Sequence, residues 1–158
     1  MAAEESLIIR RATPADAPTL AAHNAALAAE TEGLALDSGR LLSGVQAVLE
    51  DAAKGIYFVA EAAGAVVGQL MITFEWSDWR NGTFWWLQSV YVQPSHRRQG
   101  VFRRLYAEVL RQAEAARTVC GARLYVAPHN TAAQEVYRRL GMRRAPYEMY
   151  ELDFVLRR

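Results

Sequence analysis

Two runs rich in β-branched and aromatic residues, Val66 to about Trp76 and a second ending near Val92, flank the dipeptide Asn81-Gly82. Asn-Gly supplies the two positive-φ residues of a type I′ turn, so the runs are predicted to be antiparallel neighbours in one sheet. A two-residue turn fixes the register: Glu75 faces Gln88, Ser77 faces Trp86 and Trp79 faces Phe84, all six on one side. The remaining elements have to be arranged around this hairpin.

Helical and strand patterns alternate along the rest of the chain. Ser6 to Ala12 reads as a strand. Thr13 is placed as an N-cap, with Pro14 at the first helical position and Asp16 in the first turn of a helix reaching about Glu30. A second helix covers Arg40 to Ala53, with Leu41, Leu42, Val45, Val48 and Leu49 at helical spacing, and a strand follows at Ile56 to Glu61. Beyond the hairpin come a long helix to about Arg117, a strand at Arg123 to Ala127, and a helix from Thr131 to Leu140 ended by Gly141. Tyr147 to Phe154 reads as a last strand, and Met142 to Arg144 offers one further short one. The order β-α-α-β-β-β-α-β-α-β, without repeat or linker, predicts a single α/β domain over residues 1–158.

Composition narrows the function. The hydrophobic share of 52% suits a real core. No apolar run approaches the roughly 18 residues of a membrane span, and the N-terminus carries acids where a signal peptide carries bases. A cytoplasmic protein without a membrane partner is expected. The single cysteine, Cys120, excludes an internal disulfide framework and any cysteine-cluster zinc site. His23, His96 and His129 have no metal-ligand spacing, so no metal is expected. The net charge of +1 hides a division: residues 1–96 hold 11 acids and 5 bases, residues 97–158 hold 6 acids and 13 bases. This pattern fits solvated surface, or an anionic ligand in the second half with a cationic one admitted by the first. Because the aromatics gather in the acidic half, a nucleic-acid partner is not expected.

The stretch "VQPSHRRQGVFRRLYAEVL", Val92 to Leu110, takes a strand through a glycine into an amphipathic helix whose start is crowded with arginines. A helix N-terminus already carries positive potential, so such a site needs an anion. Gly100 allows close backbone approach, while Arg97, Arg98, Arg103 and Arg104 add charge suited to a diphosphate. The loop lacks both the GxGxxG spacing of a dinucleotide fold and the lysine-serine ending of a Walker loop.

Two stretches resemble the GNAT superfamily of N-acetyltransferases. "VYVQPSHRRQGVF", Val90 to Phe102, is similar to its acyl-CoA motif, a V-x-V strand followed by R-x-x-G-x-G/A. "NTAAQEVYRRLGM", Asn130 to Met142, is similar to its second motif, N-x-x-A-x-x-x-Y-x-x-x-G-F. The resemblance implies a central, mostly antiparallel sheet of six to seven strands with helices on both faces. It further implies acetyl-CoA as co-substrate and direct attack by an amine, small-molecule or peptide. The CoA diphosphate would lie on amides of Arg98, Gln99, Gly100, Val101, Phe102 and Arg103, with Arg97 adding charge. Val90, Tyr91 and Val92 would pair with the pantetheine arm. Asn130 would touch that arm or cap its helix, and Tyr137 would protonate the departing thiolate. Phe102 stands where the motif has a small residue, so its ring is expected to turn away from the phosphates, beneath the helix against the sheet.

The amine's proton is the harder one to handle. Freeing a lysine-like amine of pKa about 10.4 at pH 7 costs roughly 4 to 5 kcal/mol, against about 2 kcal/mol for a thiol. Several relatives place a glutamate on the fourth strand for this task, but Trp86 falls at or near that position here. Glu75, on the same face one strand over, is the candidate base, directly or through water; the alternative is a solvated edge charge. Trp79, Trp86 and Gln88 would line the acceptor site, and Glu30 and Glu32, with Asp37 nearby, would favour a cationic acceptor. The four tryptophans also admit plain core packing or a homodimer contact. The alternative to an enzyme is an acyl-CoA-binding sensor or interaction module on the same fold.

Overall fold

The structure, a computed structural model, describes residues 6–156. The chain forms two compact units, one up to Leu124 and one from Tyr125 onward. The first contains β1 (Ile8–Arg11), α1 (Ala17–Glu32), α2 (Ser38–Glu50), β2 (Ile56–Ala62), β3 (Ala65–Ser77), β4 (Gly82–Val92), α3 (Val101–Ala115) and β5 (Val119–Arg123). The second contains α4 (Thr131–Arg139).

The strands form one sheet in chain order. Neighbours are antiparallel from β1 to β4, and β5 runs parallel to β4. Successive side chains alternate between faces. Tyr57, Val59 and Met71 pack with Ala17 and Leu20 of α1 and Val45 of α2. On the other face α3 turns inward Val101, Leu105, Tyr106, Val109 and Ala113, an amphipathic repeat that follows the helical period. Gly68 lets this helix approach, because a Cβ there would stand 2.8 Å from Cγ1 of Val101.

The entry to α1 is held by charge as well as packing. A one-turn 3-10 helix, Pro14–Asp16, precedes it. The Asp16 carboxylate accepts from the Thr13 N–H at 2.7 Å and from both terminal nitrogens of Arg10 at 2.8 and 3.0 Å. Arg10 also reaches Glu61 of β2 at 2.8 Å. At the far end Gly33, at φ +64°, closes α1 with the N–H of Leu34 on the Ala28 carbonyl.

The fold class is as expected, but three features differ. Five strands are present among the described residues, not six or seven; Tyr147 to Phe154 and Met142 to Arg144 form no ladder. Alternating polarity makes a segment fit for a strand, yet a strand exists only where a neighbour takes up its backbone groups. The strand expected at Arg123 to Ala127 lies instead at Val119–Arg123. Gly121 is a working strand residue, since a Cβ there would meet the Phe84 ring at 2.7 Å.

The third difference is the hairpin. Ser77 pairs with Gly82, so four residues form the connection: a 3-10 turn over Asp78–Arg80 and a left-handed Asn81 at φ +46°. Asp78 organises it, its carboxylate accepting from the Trp79 N–H at 2.9 Å. Gly82 belongs to the strand because a Cβ there would lie 2.8 Å from that of Cys120. Glu75 therefore faces Phe84 rather than Gln88, Trp86 faces Thr73 and Gln88 faces Met71. The slip is an even number of residues, so Glu75, Trp86 and Gln88 keep a common face. Trp79 leaves the strand and is 85% exposed.

The Arg10 guanidinium, helped by the Thr13 N–H and opposed by burial, holds the Asp16 carboxyl below its usual value. A lowered folded-state pKa gives stability that is present above about pH 4 and lost as pH falls. Asp16→Asn is expected to cost about 2 kcal/mol at pH 7 and to flatten the decline of stability below pH 4. Urea unfolding at pH 7, 4 and 3 checks both effects.

Candidate active site

β4 serves two neighbours over different lengths. Its pairing with β5 ends at Trp86 opposite Arg123, whereas its pairing with β3 continues to Val92 opposite Gly68. Leu87 to Val92 therefore run about 20 Å at strand rise beyond the last β5 pair. Within that stretch the register slips: Gln69 pairs with Tyr91 but Met71 pairs with Gln88, so β4 carries one extra residue. Ser89, at φ +50°, marks this bulge.

The strand then passes through a 3-10 turn, Pro94–His96, to Arg98 at φ +61° and Gly100 at φ +80°. Gly100 has nothing within 4 Å of a built Cβ, so its left-handed backbone, not crowding, calls for glycine. The first bond into α3 runs from the Arg104 N–H to the Gly100 carbonyl, 3.0 Å. Amides of the first helical turn are directed off the helix end, where an anion finds them. The Phe102 ring lies 5.9 Å from that of Tyr106, one turn along the same helix.

The arginines divide into two groups. Arg97 is occupied: it donates to the Val92 carbonyl at 2.9 Å and to Glu30 at 2.7 Å, and lies 5.4 Å from the Tyr91 ring centroid. Tyr91 hydroxyl donates to the other oxygen of Glu30 at 3.2 Å. Burial, then the Glu30 charge, raises the Tyr91 phenol above its ordinary value. Arg98 and Arg103 are exposed and have no ion-pair partner among the described residues.

Of the expected acceptor acids, Glu30 is joined to Arg97 and Tyr91, and Glu32 is the last residue of α1. Asp37 caps α2, accepting from the Arg40 N–H at 2.7 Å. Trp86 is half-buried, and Gln88 donates to the Thr73 hydroxyl at 2.6 Å. Glu75 is ion-paired with Arg123, whose guanidinium lies 3.7 Å from the centroid of the Phe84 ring. Phe84 and Arg123 are thus the neighbours of this carboxylate across β4 and β5.

In the second unit Asn130 caps α4, its side-chain oxygen accepting from the Ala133 N–H at 3.1 Å. The helix ends with the Met142 N–H on the Tyr137 carbonyl and the Gly141 N–H on that of Arg138, each at 3.0 Å, with Gly141 at φ +89°. Burial raises the Tyr137 phenol above its ordinary value, which keeps it protonated through neutral pH.

A buried polar cluster under β4 was missed in the sequence. Gln69 is fully buried and His23 nearly so. The Gln69 amide donates to the Ser89 carbonyl at 3.1 Å and to Asn24 at 2.8 Å, and its oxygen faces His23 Nδ1 at 3.2 Å. The readable signal is a glutamine inside the apolar run "VVGQLMI". Among the described residues, no three His, Cys, Asp or Glu side chains converge as for a metal ion, and no helix is long and apolar enough to cross a membrane.

A strand edge left open, a bulge, and a glycine turn into a helix N-terminus are the features of an acyltransferase of the GNAT type. The sequence model of the acetyltransferase (GNAT) family matches residues 25–142, and the chain belongs to that family. A possible acetyltransferase from Clostridium difficile 630 is 43% identical over 94% of this chain and 98% of its own, with a TM-score of 0.88. The ribosomal-protein-alanine N-acetyltransferase from Brucella melitensis biovar Abortus 2308 shares the fold at 18% identity, covering 94% and 99% of the two chains, TM-score 0.75. The aminoglycoside N-acetyltransferase AAC(6')-Iy, solved with CoA, shares it at 19% identity, covering 98% and 99%, TM-score 0.76. No curated protein sequence matches the chain.

Asn130→Ala is expected to cost about 1 kcal/mol, confined to α4. Hydrogen exchange should quicken at the amides of residues 133–136 and stay unchanged in β3 and β4.

Proposed function

We propose that the protein transfers the acetyl group of acetyl-CoA to a primary amine of a small, cationic acceptor. The observation that carries this reading is the run of open β4 edge, Leu87 to Val92, leading directly into the left-handed Gly100 and the amides that begin α3. An extended arm bearing amides can pair along such an edge, and a diphosphate at its end meets the helix N-terminus. Val90, Tyr91 and Val92 would take the pantetheine arm. The amides from Arg98 to Arg103 would take the diphosphate, with the side chains of Arg98 and Arg103 supplying charge. Arg97, held by Glu30, would instead fix where the loop begins.

The chemistry moves two protons. The amine attacks the thioester carbonyl, the tetrahedral intermediate expels CoA thiolate, and the amine loses a proton while the thiolate gains one. Tyr137 is assigned the second transfer, which suits a phenol kept protonated by burial. Glu75 is assigned the first, directly or through water, with Arg123 released from the carboxylate as the cationic amine arrives. Trp86 and Gln88, on the face of Glu75, would line the acceptor site, and Trp79 would border it from the hairpin loop.

Thiol release from acetyl-CoA across a panel of polyamines, aminoglycosides, amino acids and peptide N-termini tests the reading. Tyr137→Phe is expected to lower kcat about 100-fold with little change in the CoA Kd, and Glu75→Gln to shift the pH-rate profile upward or abolish turnover. A Tyr137→Phe enzyme as active as wild type removes the assigned acid. CoA binding without turnover of any amine would point to the sensor instead. Gly100→Val should weaken CoA binding more than tenfold while lowering stability by only about 1 to 2 kcal/mol, measured by calorimetry and thermal melting.

A further inference from the structure

The backbone carbonyls of Ser89 and Val66 fix every orientation in the buried cluster between them. A carbonyl oxygen only accepts, so the Gln69 NH2 must face Ser89, as its 3.1 Å contact requires. The Gln69 oxygen then faces His23, whose Nδ1 must carry the proton. Gln93 likewise turns its NH2 to the Val66 carbonyl at 3.2 Å, and that group also lies 3.4 Å from the bare Nε2 of His23. Burial lowers the His23 pKa, in keeping with this neutral ring. Asn24 completes the set, accepting from Gln69 and donating to the Tyr57 hydroxyl at 3.0 Å.

No buried side-chain polar atom among the described residues is left without a partner, so no member can turn without stranding another. The consequence falls on one peptide. In a planar trans peptide the C=O and the following N–H point in opposite directions. Holding the Ser89 carbonyl inward on Gln69 aims the Val90 N–H outward, at the bulge and on the part of β4 that β5 does not cover.

We propose that Gln69 is a positioning residue for acetyl transfer: oriented by His23 and Asn24, it locks the Ser89–Val90 peptide so that the Val90 N–H stands ready for the thioester carbonyl of the bound cofactor. This rests on the reading of the β4 edge as the acetyl-CoA site. A donor fixed before the substrate arrives polarises the carbonyl and stabilises the oxyanion without reorganisation at the moment of attack. Gln69 itself touches neither cofactor nor acceptor.

The test separates the hydrogen bond from the packing. In 15N-labelled wild type, the Val90 amide resonance is expected to differ between the CoA-bound and acetyl-CoA-bound protein, because only the latter offers the carbonyl. In Gln69→Leu that difference should fall below a third of its wild-type size. The CoA Kd should stay within about threefold, and kcat for any amine accepted should drop about 10- to 100-fold. His23→Asn, which retains a donor for the Gln69 oxygen, should keep more of the Val90 shift and of kcat than His23→Leu, which better preserves volume. Should Gln69→Leu fail to fold, the His23 pair decides.

A Gln69→Leu protein with the wild-type Val90 shift, a CoA Kd weakened as much as kcat, or His23 variants that follow volume would each overturn the proposal alone. Wild type that binds neither CoA nor acetyl-CoA would overturn it together with the reading beneath it.

Discussion

Everything at the candidate site depends on the unequal claims made on β4. Its antiparallel bond to β3 runs the whole length of the strand, while its parallel bond to β5 stops at Trp86. A strand paired on both sides has no hydrogen-bonding capacity to offer a ligand. A strand unpaired on both sides has no fixed position. β4 past Trp86 is held on one side and open on the other, the condition under which backbone becomes a binding surface.

Charge is arranged to keep that surface in place. Glu30 at the end of α1 draws together Tyr91 and Arg97, so the helix, the strand and the loop that follows share one electrostatic knot, buried at Tyr91 and exposed at the Glu30–Arg97 pair. Exposed pairs of this kind contribute little to global stability. Their effect is geometric: the first arginine of the basic loop is turned back to the protein. The imbalance between the acidic and basic halves of the chain is thus partly consumed internally, and partly left at Arg98 and Arg103.

Local signals in the sequence carried far. Asn130 reads as a cap and is one, and the stretch after Gly100 reads as an amphipathic helix and forms α3. What failed was long-range. The Asn81-Gly82 signal located the hairpin but not its register, because Asp78 captures the turn and Gly82 is claimed by the approach of Cys120. The strand expected at Arg123 to Ala127 lies at Val119–Arg123, where the Phe84 ring covers Gly121 from another strand. Gln69 and His23, 46 positions apart, give no hint of each other in one dimension. The same limit applies to Glu75, whose partner Arg123 comes from a different strand.

Gly68 lies under the start of α3, where a Cβ would collide with Val101, and it pairs with Val92 at the far end of the open edge. The missing side chain therefore acts as a gauge. It sets how close the start of α3 comes to the sheet beside the end of β4, so the spacing of these elements is held by an absent side chain and would widen if that position were enlarged.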